Sequence, residues 1–129
     1  MYESSALCGK RLLIVDDEAG IRALLIHALK RQGCIVSEAS CGHEALEIVK
    51  HSEFDGIISD IRMANGTGID LLEKVRARYP HLPIVMLMTG YAEVTESETL
   101  KKGAVALVQK PFDTKGMISQ LSAVFASKP

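Results

Sequence analysis

Two hydrophobic periodicities alternate along this chain of 129 residues. Short apolar runs rich in β-branched residues predict strands that are buried on both faces of a sheet. Between these runs, apolar residues recur at spacings of three and four, which predicts amphipathic helices. The predicted strands cover residues 12–15, 34–38, 56–59, 83–88 and 104–108.

The helical segments begin and end at recognisable signals. The third begins at Thr67, with Asp70 placed as in a capping box, and ends before Pro80. The fifth starts near Asp113 or Thr114. The fourth, within residues 91–103, is rich in poor helix formers, so we expect a marginal helix there.

Five strands that alternate with five helices predict an α/β fold. We expect a single doubly wound domain, in which right-handed crossovers place helices on both faces of a parallel five-stranded sheet. The domain is expected to span residues 10–127, with residues 1–9 as a loose N-terminal tail.

Composition narrows the function. The chain is 47% apolar and 24% charged with a formal net charge of -1, which is ordinary for a soluble domain and does not favour nucleic-acid binding. Its apolar runs are too short to span a bilayer, so we expect no membrane contact. Three cysteines without a C-x-x-C pair argue against a disulfide framework and indicate a reducing, cytoplasmic environment.

Polar residues fall at the predicted carboxyl ends of four strands. They are Asp16 and Asp17 after the first strand, Asp60 after the third, Thr89 after the fourth and Lys110 after the fifth. Ligands of open α/β sheets bind outside these ends, so we expect the five side chains at one edge. Crowded carboxylates need a cation, and oxygen-only ligation suits a hard ion such as Mg²⁺.

The hydroxyl and the ammonium group suit the opposite task of holding the oxygens of an anion. A site for both a hard cation and an anion indicates phosphoryl chemistry, in which one carboxylate can be the nucleophile. Taken singly, a strand-end Asp is most often a helix N-cap, Thr89 a turn residue and Lys110 a solvated lysine. Five such coincidences at one edge favour the site.

This pattern resembles the receiver domain of bacterial two-component response regulators, the CheY-like family. The likeness runs from about Arg11 to Phe125 and rests on IVDDE, SDIRM, GTGIDLL, MTGY, KKGA and QKPF, which follow the order and spacing of the family. The resemblance implies a flavodoxin-like (βα)5 fold with strand order 2-1-3-4-5.

The resemblance also implies a metal site and a phosphoacceptor. Asp60 matches the carboxylate that accepts the phosphoryl group. Asp17, Asp60 and the backbone carbonyl of Arg62 match the ligands of Mg²⁺, for which Mn²⁺ can substitute. Asp16 matches the acid that reaches the metal through a water and contacts Lys110.

Further positions match the switching elements of the family, and two depart from them. Lys110 would pair with the phosphoryl group, Thr89 would hydrogen-bond to it, and Pro111 would follow a cis peptide bond. The switch position, usually Tyr or Phe, holds Leu107, which cannot make the inward aromatic rotation. Ala64 replaces a usual proline, so we expect a less restrained loop there.

The implied function is a phosphoacceptor receiver of a two-component phosphorelay. The phosphoryl group would pass from a phosphohistidine of a sensor histidine kinase or histidine phosphotransfer protein to Asp60. Phosphorylation would change the surface formed by the fourth helix, the fifth strand and the fifth helix. That surface would then bind an output protein or domain, or a second copy of the chain in a homodimer. We expect a switch that dephosphorylates itself rather than an enzyme.

Two alternatives use the same residues differently. A Mg²⁺-dependent phosphatase with an aspartyl nucleophile would need a substrate pocket and a general acid, and the sequence offers neither clearly. A nucleotide-binding domain would need a glycine-rich phosphate loop after the first strand, where acids stand instead.

Overall fold

The computed structural model describes residues 6–90 and 95–127, and within them the chain forms five strands and five helices. The strands are β1 (Arg11–Val15), β2 (Ile35–Ala39), β3 (Gly56–Asp60), β4 (Ile84–Thr89) and β5 (Ala106–Gln109). The helices are α1 (Ala19–Lys30), α2 (Gly42–His51), α3 (Gly68–Arg78), α4 (Glu96–Lys101) and α5 (Thr114–Ala126). Each predicted strand is present, with its ends shifted by at most two residues.

The strands form one parallel sheet in the order β2-β1-β3-β4-β5. This confirms the α/β fold class and the strand order that the resemblance implied. Because all strands run the same way, the residues that follow them gather at one edge of the sheet.

Each face of the sheet carries its own hydrophobic core, because successive side chains of a strand point to opposite faces. On one face, Leu12 and Ile14 of β1 pack with residues of α1 and α5. On the other, Leu13 and Val15 pack with residues of α2 and α3. The uninterrupted apolar runs of the sequence are explained by this double burial.

The N-terminal segment corrects one expectation. The sequence predicts a loose tail over residues 1–9, yet Leu7 is 0% exposed and belongs to the core beneath α1 and α5. The Gly9 amide donates to the carbonyl of Gly33 at 2.9 Å. The segment is held because Leu7 fills a site in the core, while residues 1–5 lie outside the described residues.

The fourth helix, which its composition predicts to be marginal, has six residues and begins with a strong N-terminal cap. Thr95 and Glu98 form a complete capping box, in which each side chain accepts from the backbone amide of the other. Thr99 is the side chain that faces inward, whereas Leu100 is 44% exposed. Residues 91–94, which the sequence placed at the beginning of this element, lie outside the described residues.

Among the described residues, no helix combines the length and the apolar character that crossing a bilayer requires.

Candidate functional site

Asp16, directly after β1, is buried with its oxygens already bonded. Its side chain is 0% exposed, Oδ1 accepts from the Glu18 amide at 2.9 Å, and Oδ2 accepts from Lys110 Nζ at 2.9 Å. Its backbone carbonyl accepts from Arg22 Nη1 at 2.7 Å. Each of its three oxygens thus has a partner, which offsets the cost of burying a carboxylate. Asp17, the next residue, is exposed.

Asp60 is the last residue of β3 and is 6% exposed. The chain turns sharply after it, and the Gly68 amide donates to the carbonyl of Ile61 at 2.9 Å. A Cβ on Gly68 would overlap the carbonyl oxygen of Asp60, so only glycine fits at the start of α3. The phosphoacceptor candidate is therefore fixed by backbone packing from behind.

The loop between β3 and α3 is held by the beginning of α2. The amides of Gly42 and His43 donate to the carbonyls of Gly66 and Asn65 at 3.2 and 3.3 Å. A Cβ on Gly42 would lie 2.7 Å from the carbonyl oxygen of Gly66, and Gly66 has a φ of +104°. Two glycines thus allow the two backbones to touch. This contact restrains the loop that contains Ala64, the position at which the CheY-like family usually has a proline.

Lys110 lies between the acids. Its Nζ is 2.9 Å from Asp16 Oδ2, 3.2 Å from Asp60 Oδ2 and 3.8 Å from Glu18 Oε1. Burial alone would lower the pKa of Lys110, but Asp16 and then Asp60 outweigh burial and raise it. The lysine therefore stays protonated and holds a positive charge against two buried carboxylates.

The three carboxylates form one cluster. One oxygen each of Asp16, Asp17 and Asp60 can be chosen so that all lie within 4.8 Å of one another. Burial, and next the charge of Asp16, raise the pKa of Asp60, while Lys110 opposes that shift. The net charge of the cluster is negative even with Lys110 included. An all-oxygen donor set with uncompensated negative charge fits a hard divalent cation such as Mg²⁺.

The other predicted residues lie on the neighbouring strands. Thr89 ends β4, is 1% exposed, and its carbonyl accepts from the Lys110 amide at 2.7 Å. Leu107 pairs with Leu87 in the sheet and packs on the core beside α2 and α3. The Lys110–Pro111 peptide bond is cis. Arg62 is exposed in the loop after Asp60.

Two participants were not found in the sequence. Arg22 joins the carbonyl of Asp16 to Glu38 of β2, with an Nε–Oε1 distance of 2.7 Å. Glu18 lies with its Oε1 3.8 Å from Lys110 Nζ, and its backbone amide donates to Asp16 Oδ1. The local signal for Glu18 is weak: it directly follows two acids and stands at the N-cap of α1. Nothing in the local pattern marks Arg22, since its partners are set by the sheet order.

Comparison with known proteins identifies what this arrangement is similar to. The family model for the response regulator receiver domain matches residues 12–122. The transcriptional regulatory protein ZraR of Escherichia coli is 36% identical over 116 residues, which are 89% of this chain and 26% of ZraR. The regulatory protein AtoC of the same species is 41% identical over 104 residues, which are 80% of this chain and 22% of AtoC. The chain thus spans about a quarter of the length of these relatives.

A solved structure gives the same result for the fold. A CheY-like response regulator receiver domain protein from Methanospirillum hungatei superimposes with a TM-score of 0.86 at 28% identity, over 92% of this chain and 94% of that one. These comparisons give no support to the phosphatase alternative.

Proposed function

The chain belongs to the response regulator receiver family, and on that premise we propose that Asp60 accepts a phosphoryl group in a two-component phosphorelay. The observation that carries the proposal is the position of Lys110 Nζ, 2.9 Å from Asp16 and 3.2 Å from Asp60, beside a cluster of three carboxylates. A lone structural ion pair would need only one of these acids.

In the proposed reaction, an Oδ oxygen of Asp60 attacks the phosphorus of a phosphohistidine on a sensor kinase or phosphotransfer protein. The O–P bond forms, the P–N bond breaks, and the electron pair returns to the imidazole nitrogen of the donor. Asp60 is suited to this role because it is anchored from behind by Gly68 and its carboxylate ends at the open edge of the sheet. Lys110 is positioned to neutralise charge on the phosphoryl oxygens as they approach.

Asp17, Asp60 and the backbone carbonyl of Arg62 would hold Mg²⁺ directly, or Mn²⁺ in its place, and Asp16 would contribute through a water. When bound, the cation supplies charge neutralisation for the phosphoryl oxygens. The indirect role of Asp16 agrees with its bonding, since both carboxylate oxygens already accept hydrogen bonds from Glu18 and Lys110. Asp17 is exposed and can turn towards an ion.

After transfer, we propose that Thr89 and Lys110 hydrogen-bond to the phosphoryl group. Because Thr89 is the last residue of β4, this contact would displace the end of that strand towards Asp60. This displacement of β4 would be accompanied by a movement of α4, the shortest of the described helices. Leu107 replaces the usual aromatic residue, so the signal would pass through the backbone and α4 rather than through a ring rotation. The phosphoryl group would be lost by hydrolysis of the acyl phosphate on Asp60.

The signal would pass to an output domain or a partner protein, or to a second copy of the chain through α4, β5 and α5. ZraR, one of the relatives, is a transcriptional regulatory protein of which the matching segment is about a quarter. Control of transcription by an attached or separate output domain is therefore the output that we propose.

The first test is intact mass after incubation with Mg²⁺ and a small phosphodonor. Acetyl phosphate and phosphoramidate are both used, because the second contains a P–N bond as phosphohistidine does. One phosphoryl adduct per chain is expected. It should be absent after EDTA treatment and in Asp60→Asn, and present in Asp55→Asn, which alters a carboxylate at the opposite edge of the sheet.

If neither donor gives an adduct while Mg²⁺ still binds, the proposed chemistry is refuted for small donors and a purified phosphotransfer protein becomes the deciding donor. If that donor also fails, the function is wrong. An adduct that persists in Asp60→Asn would assign the phosphoacceptor to another residue.

The second test is amide exchange with and without beryllofluoride, a phosphoryl mimic. We expect altered protection in α4 and at the end of β4, and unchanged protection in α2, which serves as the internal reference. Identical protection of α4 in both states would contradict the proposed switching route.

A further inference from the structure

The chain between Leu7 and Lys10 forms a turn that packs against the connection from α1 to β2. The Lys10 amide donates to the Leu7 carbonyl at 3.0 Å and closes the turn. The Gly9 amide donates to the Gly33 carbonyl at 2.9 Å. Two segments that are distant in sequence are thereby held side by side.

Each of these segments carries one cysteine. Cys8 is exposed in the turn, whereas Cys34, directly before β2, is 7% exposed. The Cys34 thiol donates to the carbonyl oxygen of Leu7, the residue before Cys8, at 3.4 Å. A Cβ built on Gly33, the residue before Cys34, would lie 3.1 Å from Cys8 Sγ. Each sulfur therefore lies against the backbone that carries the other.

We propose that Cys8 and Cys34 form an oxidation site, at which hydrogen peroxide converts the two thiols into an intrachain disulfide. The site lies at the edge of the sheet opposite the carboxylate cluster, because Cys34 precedes β2 whereas Asp16 follows β1 in a parallel sheet. It is independent of the phosphoryl chemistry proposed above.

The reaction has two steps. The thiolate of Cys8 attacks one oxygen of the peroxide, so that an S–O bond forms, the O–O bond breaks and hydroxide leaves to become water. The sulfur of Cys34 then attacks the sulfenic acid, the S–S bond forms and the S–O bond breaks. The oxygen leaves as water with the thiol proton of Cys34. In total, two thiols give two electrons and two protons to one peroxide.

Exposure sets the order of the two steps. Cys8 is accessible to peroxide, whereas Cys34 is shielded by the core. Burial, and next the charge of Cys8, raise the pKa of Cys34 to about 11, so Cys34 remains a thiol at neutral pH and does not compete as the first nucleophile.

The disulfide would close a loop of residues 8–34, which contains β1, the acid pair and α1. Closing a loop of this kind restricts the unfolded chain, so the oxidised protein should melt at a higher temperature than the reduced protein. A dithiol reductant should restore the original melting temperature. Reversibility is what a reducing compartment requires of such a site.

The test exposes the full chain to hydrogen peroxide, traps remaining thiols with an alkylating agent after denaturation, and maps the peptides by mass. The parent is compared with Cys8→Ser, an exposed position that should fold normally. Cys41→Ser is the matched control, because Cys41 is the N-cap of α2 at the other end of β2.

We expect the parent and Cys41→Ser to lose two hydrogen atoms, with a peptide that joins Cys8 to Cys34 and with the rise in melting temperature. Cys8→Ser should show neither. The proposal is overturned if Cys8 accumulates sulfinic acid while Cys34 stays alkylatable. It is equally overturned if disulfides form between chains or with Cys41, or if no thiol is lost.

Discussion

Replacing Asp60 by Asn is expected to stabilise the metal-free protein, although it removes the proposed phosphoacceptor. The side chains have the same shape, so the substitution removes one negative charge from the cluster. Asp60 has carboxylates of Asp16 and Asp17 within 4.8 Å and the Lys110 ammonium at 3.2 Å. Burial and repulsion by the two carboxylates therefore disfavour the ionised form of Asp60. Only the attraction of Lys110 favours it, and Lys110 also pairs with Asp16.

The magnitude follows from these distances. At an effective dielectric constant of about 20, a like charge at 4.8 Å costs about 3.5 kcal/mol and an opposite charge at 3.2 Å returns about 5 kcal/mol. The exposure of Asp17 reduces its share of the repulsion. When the repulsion, the attraction and the cost of burial are added, the ionised form of Asp60 destabilises the fold by an amount on the order of 1–2 kcal/mol. Asp60→Asn should gain that amount in free energy of unfolding.

The sign also fixes the pH dependence. The folded-state pKa of Asp60 is raised above its ordinary value of 3.8, so its ionisation weakens the fold as pH rises through the raised pKa. The gain of Asp60→Asn should be complete at neutral pH. It should vanish below pH 3.8, where the carboxyl is protonated in both the folded and the unfolded state.

The assay is urea unfolding followed by circular dichroism at neutral and acidic pH, in EDTA and with Mg²⁺. Mg²⁺ should stabilise the parent by mass action and should reverse the order of parent and Asp60→Asn. Asp55→Asn is the control and should respond to Mg²⁺ as the parent does. A lower stability of Asp60→Asn in EDTA at neutral pH would refute the electrostatic reasoning, and a parent indifferent to Mg²⁺ would refute the metal site.

Three further substitutions test the supporting structure, each by urea unfolding beside the parent. Arg76→Met should cost about 2–3 kcal/mol, because Arg76 donates to three backbone carbonyls that would lose their partner; unchanged stability would mean that water replaces it. Gly68→Ala should cost about 3 kcal/mol and abolish phosphorylation, since its Cβ overlaps the Asp60 carbonyl; a stable, active variant would contradict the packing. Thr95→Ala should cost about 1 kcal/mol and speed amide exchange in α4 but not in α3. If α4 exchanges at the same rate in the variant and the parent, the cap does not stabilise the helix.

The features that could be predicted from the sequence are the periodic apolar segments and the polar residues that directly follow them. The strands were found because each is an apolar run buried on both faces, and Asp60 and Lys110 stood out as polar residues directly after such runs. The strand order came from the family resemblance, since periodicity does not state which strands pair. The grouping of the acids at one edge followed from the parallel direction of the strands, whose carboxyl ends lie together.

Contacts between distant segments left no such pattern. Leu7 lies in an apolar run of only three residues, too short to show a helical or strand periodicity, and its place in the core depends on Cys34 and the end of α1. In α4, weak helix formers predicted a marginal helix, yet Thr95 serves as its N-cap and Thr99 as its buried side chain. The Thr-x-x-Glu spacing at 95–98 was the signal that could have located the cap.

The contact between Gly42 and Gly66 has a consequence for engineering. Because two backbones meet there, no side chain at either position can be tuned to fit a foreign partner. A chimera that takes α2 from another receiver would have to import the loop of residues 61–67 with it. The second helix and the loop beside the proposed phosphoacceptor would therefore have to be exchanged together, although strand β3 separates them along the chain.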